Sequence, residues 1–295
     1  MTTPLELALL ALDGLSLGDC FGERFFGPTD EVIPRLEQRV VPDAPWPYTD
    51  DTEMALSVVE VLIKFGRIDQ DELALRFARR MNYARGYGVG AYEILTEISA
   101  GESWRSASRN GFNGMGSFGN GAAMRVAPLG AFFAERPRAT LVEEAARSAE
   151  VTHAHPEGIA GAIAVAVAVA SAYRRRQSAL GQPWLKTVID AVPAGYTRDA
   201  IVEALAVPST ADIVTAAKAL GNGSGVTAPD TVPLCLWVAA YATDFSEAMW
   251  TTVGALGDRD TTCAIVGGIL APRLGRAALP PRWLNARETF VLDAG

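Results

Sequence analysis

The sequence is short of the residues on which many metal and redox sites depend. Its three cysteines, Cys20, Cys235 and Cys263, lie far apart and form no metal-binding or redox spacing, which suits a reducing, cytoplasmic setting. Only two histidines occur, His153 and His155, in Val151-Thr152-His153-Ala154-His155-Pro156. Without cysteine nearby, that pair is a poor transition-metal site. It fits better with one histidine donating to a phosphate or a backbone group and the other serving structure. Positive charge is also in deficit. A net charge of −8 and a pI near 4.9 argue against a general nucleic-acid or anionic-membrane binder, while leaving room for a locally positive pocket. No Lys or Arg precedes Arg24, so the basic start of a signal peptide is lacking. The strongest membrane-like stretch, residues 159–173, is 15 residues long. That is shorter than the ~20 needed to cross a bilayer. It predicts a central helix buried on all sides, with Arg174-Arg175-Arg176 as its solvated end.

No alternating strand pattern and no fixed repeat occur. Apolar residues instead recur at helical spacing. The pattern predicts helices over 5–17, 52–65, 70–81, 90–100, 103–108, 122–133, 141–151, 156–176, 184–192, 197–207, 210–220, 230–242, 244–255 and 260–274. Gly14, Gly18 and Gly22 around Asp19 read as the stop of the first helix, and the Pro-rich stretch 28–47 as a loop. With 49% apolar and 20% charged residues, the expectation is a single all-α domain over residues 1–295. A compact domain of this size is expected to act as a monomer.

What the chain does have is acid in tight groups. Tyr48-Thr49-Asp50-Asp51-Thr52-Glu53-Met54 places two adjacent carboxylates and two hydroxyls just before an apolar run. Asp50 and Glu53, three apart, have the pattern of a capping box, with the carboxylates at the positive end of a helix dipole. Gly257-Asp258-Arg259-Asp260-Thr261-Thr262 opens another apolar run in the same way. One such cluster is a helix cap about as often as it is a site. Two, each with a carboxylate beyond what a cap needs, point to a pair of hard cations held by oxygen ligands. Arg259 is placed either to meet a substrate phosphate or to pair with Asp258.

The glycine-rich stretches are the second signal. Residues 110–121 carry five glycines in twelve positions, and Arg85-Gly86-Tyr87-Gly88-Val89-Gly90 is a shorter loop. Bare backbone of this kind approaches a ligand closely and can form a nest for an anion. Phe112 and Phe118 flank the longer loop, either as core residues or as faces on which a base stacks.

These motifs together resemble the ADP-ribosylglycohydrolase family. The matching pieces are Gly14-x-x-x-Gly18-Asp19-Cys20-x-Gly22, Thr49-Asp50-Asp51-Thr52-Glu53, the run Gly116-Ser117-Phe118-Gly119-Asn120-Gly121-Ala122-Ala123-Met124-Arg125, Thr152-His153-x-x-Pro156, Asp258-x-Asp260-Thr261, Gly267-Gly268 and Leu279-Pro280-x-x-Trp283-Leu284. The resemblance spans nearly the whole chain. It implies a helical domain with two Mg²⁺ or Mn²⁺ ions held by Thr49, Asp50, Asp51, Asp258, Asp260 and Thr261. It also implies a diphosphate held near Gly86, Tyr87, Gly88, Gly116, Ser117, Gly119 and His153, with Phe112 and Phe118 at the adenine. The implied reaction releases ADP-ribose from a protein side chain, a nucleic acid or a small molecule. Water attacks the anomeric carbon, with Asp50 or Asp51 orienting or deprotonating it. Many relatives have Glu where this chain has Phe26; Glu23, three residues earlier, is the candidate replacement. That change leaves a second expectation, a silent ADP-ribose-binding relative. A third, a phosphohydrolase splitting the diphosphate, would release AMP.

Overall fold

The structure, a computed structural model, describes residues 2–293. Among these there are seventeen α-helices and no strand; two isolated bridges, Trp46 with Arg287 and Gly119 with Thr227, tie loops together. In chain order the helices are α1 (Pro4–Glu23), α2 (Thr29–Glu37), α3 (Asp50–Phe65), α4 (Gln70–Arg80), α5 (Val89–Ser99), α6 (Trp104–Gly114), α7 (Gly121–Met124), α8 (Ala127–Phe132) and α9 (Arg138–Glu150). They continue as α10 (Pro156–Arg174), α11 (Gly181–Ile189), α12 (Tyr196–Glu203), α13 (Ile213–Leu220), α14 (Ala228–Tyr241), α15 (Phe245–Val253), α16 (Arg259–Leu274) and α17 (Pro281–Ala286). All pack on one continuous core, as a single domain.

The middle of that core is α10. Its Ala and Val residues from 160 to 172 are buried, and it packs against α7, α8, α9, α11, α12, α14 and α16. It spans nearly all of the expected 156–176 and, at 19 residues, is long and apolar enough to cross a membrane although the stretch 159–173 alone is not, yet most of it is enclosed by protein.

Helix α1 departs from the expected stop. A capping box between Thr3 and Glu6 starts it, and it then runs through all three glycines to Glu23. Gly14, Gly18 and Gly22, four residues apart, form one strip of the helix. A Cβ on them would lie 2.3 Å from Gly267 O, 2.1 Å from Cys263 O and 2.2 Å from Arg259 O. The strip lets α1 meet α16 backbone to backbone. Tertiary packing therefore outweighs the roughly 1 kcal/mol by which each glycine disfavours a helix.

The Pro-rich stretch is not all loop either, since α2 occupies its first part despite Pro34. In the last turn of α1, Phe21 stacks on Trp283 with centroids 4.6 Å apart, and Phe25, Trp46 and Trp250 complete an aromatic cluster. It clamps the last turn of α1 against α15 and α17. Asp19, Glu23 and Phe26 are thereby carried to the end of the bundle where α3 and α16 begin.

Candidate active site

Helices α3 and α16 start side by side, so the two acidic clusters come together. Thr49, not Asp50, caps α3: its Oγ1 accepts from Asp51 N at 3.4 Å. Glu53 closes no capping box and instead accepts from Asn82 N at 2.8 Å and from the Tyr87 hydroxyl at 3.0 Å. Asp258 precedes α16 but makes no cap bond to it; its Oδ2 accepts from Asn120 Nδ2 at 2.7 Å. Thr261 of α16 donates to Asp51 Oδ2 of α3 at 3.3 Å, joining the clusters directly.

Asp19, fully buried on α1, organises the floor. It accepts from Thr49 N at 3.0 Å, Thr49 Oγ1 at 2.8 Å, and the backbone and hydroxyl of Thr52 at 3.2 and 2.5 Å. Burial, then these donors pulling the other way, leaves it raised to about 6. Burial and the nearby Asp19 push Asp50 up to about 8. Asp51 and Asp260 lie well above the carboxylate range, first through burial and then through Asp260 acting on Asp51 and Asp258 acting on Asp260.

Such a group of buried carboxylates is stable only with compensating charge. No ion pair with Arg, Lys or His reaches Asp50, Asp51, Asp258 or Asp260 among the described residues. Asp51 Oδ1 and Asp260 Oδ1 are buried with no hydrogen-bond partner. Two orphaned carboxylate oxygens within a set of Asp and Thr donors fit hard divalent cations. Among the described residues, however, no three His, Cys, Asp or Glu side chains already converge as a cage, and the fit rests on donor chemistry.

Beside the clusters lies a cavity of about 370 Å³, lined by Asp50, Asp258, Asp260 and Thr261 on one side. Gly86, Gly88, Phe112, Ser117, Phe118, Gly119 and His153 line the rest. That volume lies in the range usual for small-molecule sites. A larger groove of about 890 Å³ near Leu7 and Arg273 has no comparable convergence of carboxylates and glycine loops. Helix α6, longer than expected, breaks at Gly111, and Phe112 and Asn113 adopt positive φ of 56° and 59°. The break lays the Phe112 ring over Gly90, where a Cβ would come within 2.4 Å of it.

Several expected residues are placed elsewhere. Thr49 and Asp51 stand behind the cavity wall, as ligands to Asp19 and Thr261. Tyr87 is buried with its hydroxyl on Glu53, so only its glycine neighbours face the cavity. Gly116 packs on the backbone of Ala154 and His155, a position where φ of +74° and a 2.8 Å Cβ contact both demand glycine. Glu23, half-buried at the end of α1, does not line the cavity, although burial, Asp19 and Asp258 raise its pKa.

The histidines divide the two roles. His155 Nδ1 accepts from Glu157 N at 3.1 Å and caps α10. His153 is buried beside the cavity, and burial with the nearby Arg125 lowers it to about 3, so it is neutral. Its Nδ1 lies 2.7 Å from Thr152 Oγ1, which accepts from Arg125 Nη2 at 2.9 Å. An arginine only donates, which leaves the Thr152 proton available to Nδ1; in the tautomer that takes it, His153 carries its own proton on Nε2. That N–H sits at the glycine loop, where added Cβ atoms on Gly119 and Gly121 would meet Nε2 at 3.3 and 3.0 Å. Asp19, Asn120 and this Arg125–Thr152 pair were not singled out as site residues by sequence reading. All four stand inside the quoted motifs, which was their signal; their roles were hidden because each acts on a partner distant in the chain or on a neighbour's tautomer.

The sequence pattern of the ADP-ribosylglycohydrolase family matches residues 1–293. The chain is 28% identical to ADP-ribosylhydrolase ARH3 of Danio rerio, over 92% of this chain and 84% of that protein. It is 27% identical to ARH3 of Homo sapiens, over 95% and 88%, and 31% identical to an uncharacterised protein of Archaeoglobus fulgidus, over 92% and 88%. A solved ADP-ribosylglycohydrolase-related protein complex superposes with a TM-score of 0.69 at 25% identity, covering 98% of this chain and 94% of that one. Helical fold, motif order and full-length similarity agree, and the chain belongs to the ADP-ribosylglycohydrolase family of hydrolases acting on ADP-ribosyl conjugates.

Proposed function

We propose that this enzyme removes ADP-ribose from a modified acceptor by metal-dependent cleavage of the bond at the ribose anomeric carbon. The reading rests on one arrangement above others: two acidic helix starts joined by Thr261 and Asp51, with orphaned oxygens on Asp51 and Asp260, beside a glycine-lined cavity. Thr49, Asp50, Asp51, Asp258, Asp260 and Thr261 would hold two Mg²⁺ or Mn²⁺ ions. Bound there, the cations supply a grip on ribose hydroxyls and a water of lowered pKa.

The chain's own groups do the rest. Backbone at Gly86, Gly88 and Gly119, with the Ser117 hydroxyl and the His153 Nε2–H, holds the diphosphate. A neutral histidine does this by donating a hydrogen bond, without needing protonation. Phe112 and Phe118 border the base, with the strained turn at Phe112 holding its ring in place. In the reaction the water oxygen bonds to the anomeric carbon while the bond to the acceptor breaks, its electron pair leaving with the acceptor. Asp50, which lines the cavity at the start of α3, takes the proton from water. Asp51, locked by Thr261, keeps Asp50 and the acidic floor in register.

The test is ADP-ribose release from arginine-linked and serine-linked protein, modified nucleic acid and O-acetyl-ADP-ribose, each with Mg²⁺, Mn²⁺ or chelator. Release from one of these that chelator stops, and that Asp260→Asn lowers about a hundredfold or more, supports the reading. Tight ADP-ribose binding with no release from any conjugate would assign the protein as a silent binder instead. AMP as product would assign a phosphohydrolase.

A further inference from the structure

Among the described residues, Arg259 at this end of the molecule is left without an ionic partner, as is Arg24 at the end of α1. Arg259, the first residue of α16, lies between Asp258 and Asp260, yet pairs with neither. Its guanidinium sits over the Phe26 ring, 5.0 Å from the centroid, and apart from that contact it makes no hydrogen bond or ion pair among the described residues. Its Nε is buried and unpartnered. Phe26, just beyond α1, is 44% exposed, an unusual position for a large apolar ring beside so many carboxylates.

Phe26 and Arg259 lie outside the cavity, beside carboxylates that line it. Asp258, Asp260 and Thr261 line the cavity, whereas Phe26 and Arg259 do not. The end of α1 abuts the start of α16, with Gly22 packed on Arg259 O and Asp260 N. If the diphosphate lies at the glycine loops and the ribose at the carboxylates, the acceptor leaves on the side of Phe26 and Arg259.

We infer that Phe26 and Arg259 form an acceptor-side subsite that selects ADP-ribosylated peptides with an acidic residue next to the modified side chain. This rests on the proposed orientation of ADP-ribose in the cavity. A guanidinium already desolvated on one face by an aromatic ring offers its remaining N–H groups to a single carboxylate. The ring offers an apolar surface to the peptide chain beside it. A nucleic-acid strand fits less well, because the surface presents only Arg24 and Arg259 amid Glu23, Asp258 and Asp260, and a polyanion needs several cations along its path. A basic neighbour on the peptide would face Arg259 directly and be disfavoured.

Binding tests this separately from turnover. Three ADP-ribosylated peptides with a non-hydrolysable linkage, identical except for Glu, Gln or Lys beside the modified residue, are titrated into the whole protein with Mg²⁺ at low salt. The expected result is about five- to tenfold tighter binding of the Glu peptide than of the Lys peptide, the size of a charge-assisted contact at a half-open site. Arg259→Gln should reduce that ratio to within about twofold, whereas Phe26→Ala should weaken all three peptides together. Equal affinities in the wild type, a preference that survives Arg259→Gln, or tighter binding of an ADP-ribosylated oligonucleotide than of any peptide would overturn the proposal. A preserved preference with no ADP-ribose release in the conjugate panel would overturn the hydrolase reading and leave this subsite standing.

Discussion

Replacing Thr152 by valine isolates the relay that orients His153. The two side chains have nearly the same shape, so packing at this fully buried position changes little, and the hydroxyl alone is lost. Two hydrogen bonds go with it, one from the Arg125 guanidinium at 2.9 Å and one to His153 Nδ1 at 2.7 Å. Arg125 retains the Ser148 carbonyl at 3.0 Å, but one N–H of a buried cation loses its acceptor. Burial already pushes this arginine down to about 9. A charged donor left unsatisfied costs about 1.5–3 kcal/mol, and the lost neutral bond about 1 more, giving roughly 2.5–4 kcal/mol. For a chain of 295 residues this corresponds to a fall of about 3–7 °C in Tm. Without the hydroxyl, nothing fixes which imidazole nitrogen carries the proton. ADP-ribose affinity should then drop about three- to tenfold, while Thr152→Ser should recover most of both losses. Urea unfolding, calorimetric titration of ADP-ribose and nitrogen NMR of the imidazole read the three effects. A Thr152→Val protein within about 0.5 kcal/mol of the wild type, or one whose His153 keeps the Nε2–H tautomer, would refute the relay.

Because the fold holds His153 neutral, with a pKa near 3 instead of the ordinary 6.5, its contribution to stability is complete above pH 6.5 and is lost as pH falls towards 3. ADP-ribose affinity should accordingly show no histidine step between pH 5.5 and 8, and His153→Gln should flatten the acid limb of the stability curve; a binding step near pH 6.5 would contradict this. Gly18→Ala, whose Cβ would lie 2.1 Å from Cys263 O, should cost about 3 kcal/mol or prevent folding, measured by denaturant midpoint or soluble yield. Glu288→Gln should weaken the paired contact with Arg85 at 2.7 and 2.8 Å and cost about 1 kcal/mol in urea unfolding. Because Arg85 adjoins Gly86, ADP-ribose affinity should also fall measurably in that variant, and an unchanged affinity would separate the tail from the glycine loop.

The long apolar helices were legible because their periodicity is the outcome of burial, and α10 could be read as central from its unbroken Ala and Val content. The two acidic clusters were legible for another reason: their carboxylates exceed what capping requires. What could not be read depended on partners far away in the chain. The glycines of α1 look like a stop until α16 is seen against them. Thr49 rather than Asp50 became the cap because the Asp19 carboxylate, thirty residues earlier, holds its amide and hydroxyl. Tyr87 and Gly116 sit in the right loops but face inward, since a glycine-rich sequence specifies freedom of the backbone and not the direction of its side chains. Helix α2 was missed because Pro34 lies within it.

The contact between α1 and α16 has a consequence beyond packing. One helix carries Asp19 and the other carries Asp258, Asp260 and Thr261, so the bare backbone between them acts as a gauge block for the reacting groups. A methyl added at Gly14 or Gly267, about one and a half turns from Asp19 and about two turns from Asp260 respectively, would wedge the helices apart and widen the spacing at their far end. In a screen read only by turnover, such substitutions would score among the active-site residues although they touch neither substrate nor cation. A map of tolerated changes in this enzyme should therefore show a narrow line of intolerance running down the seam into the interior, an imprint of distance being conserved rather than chemistry.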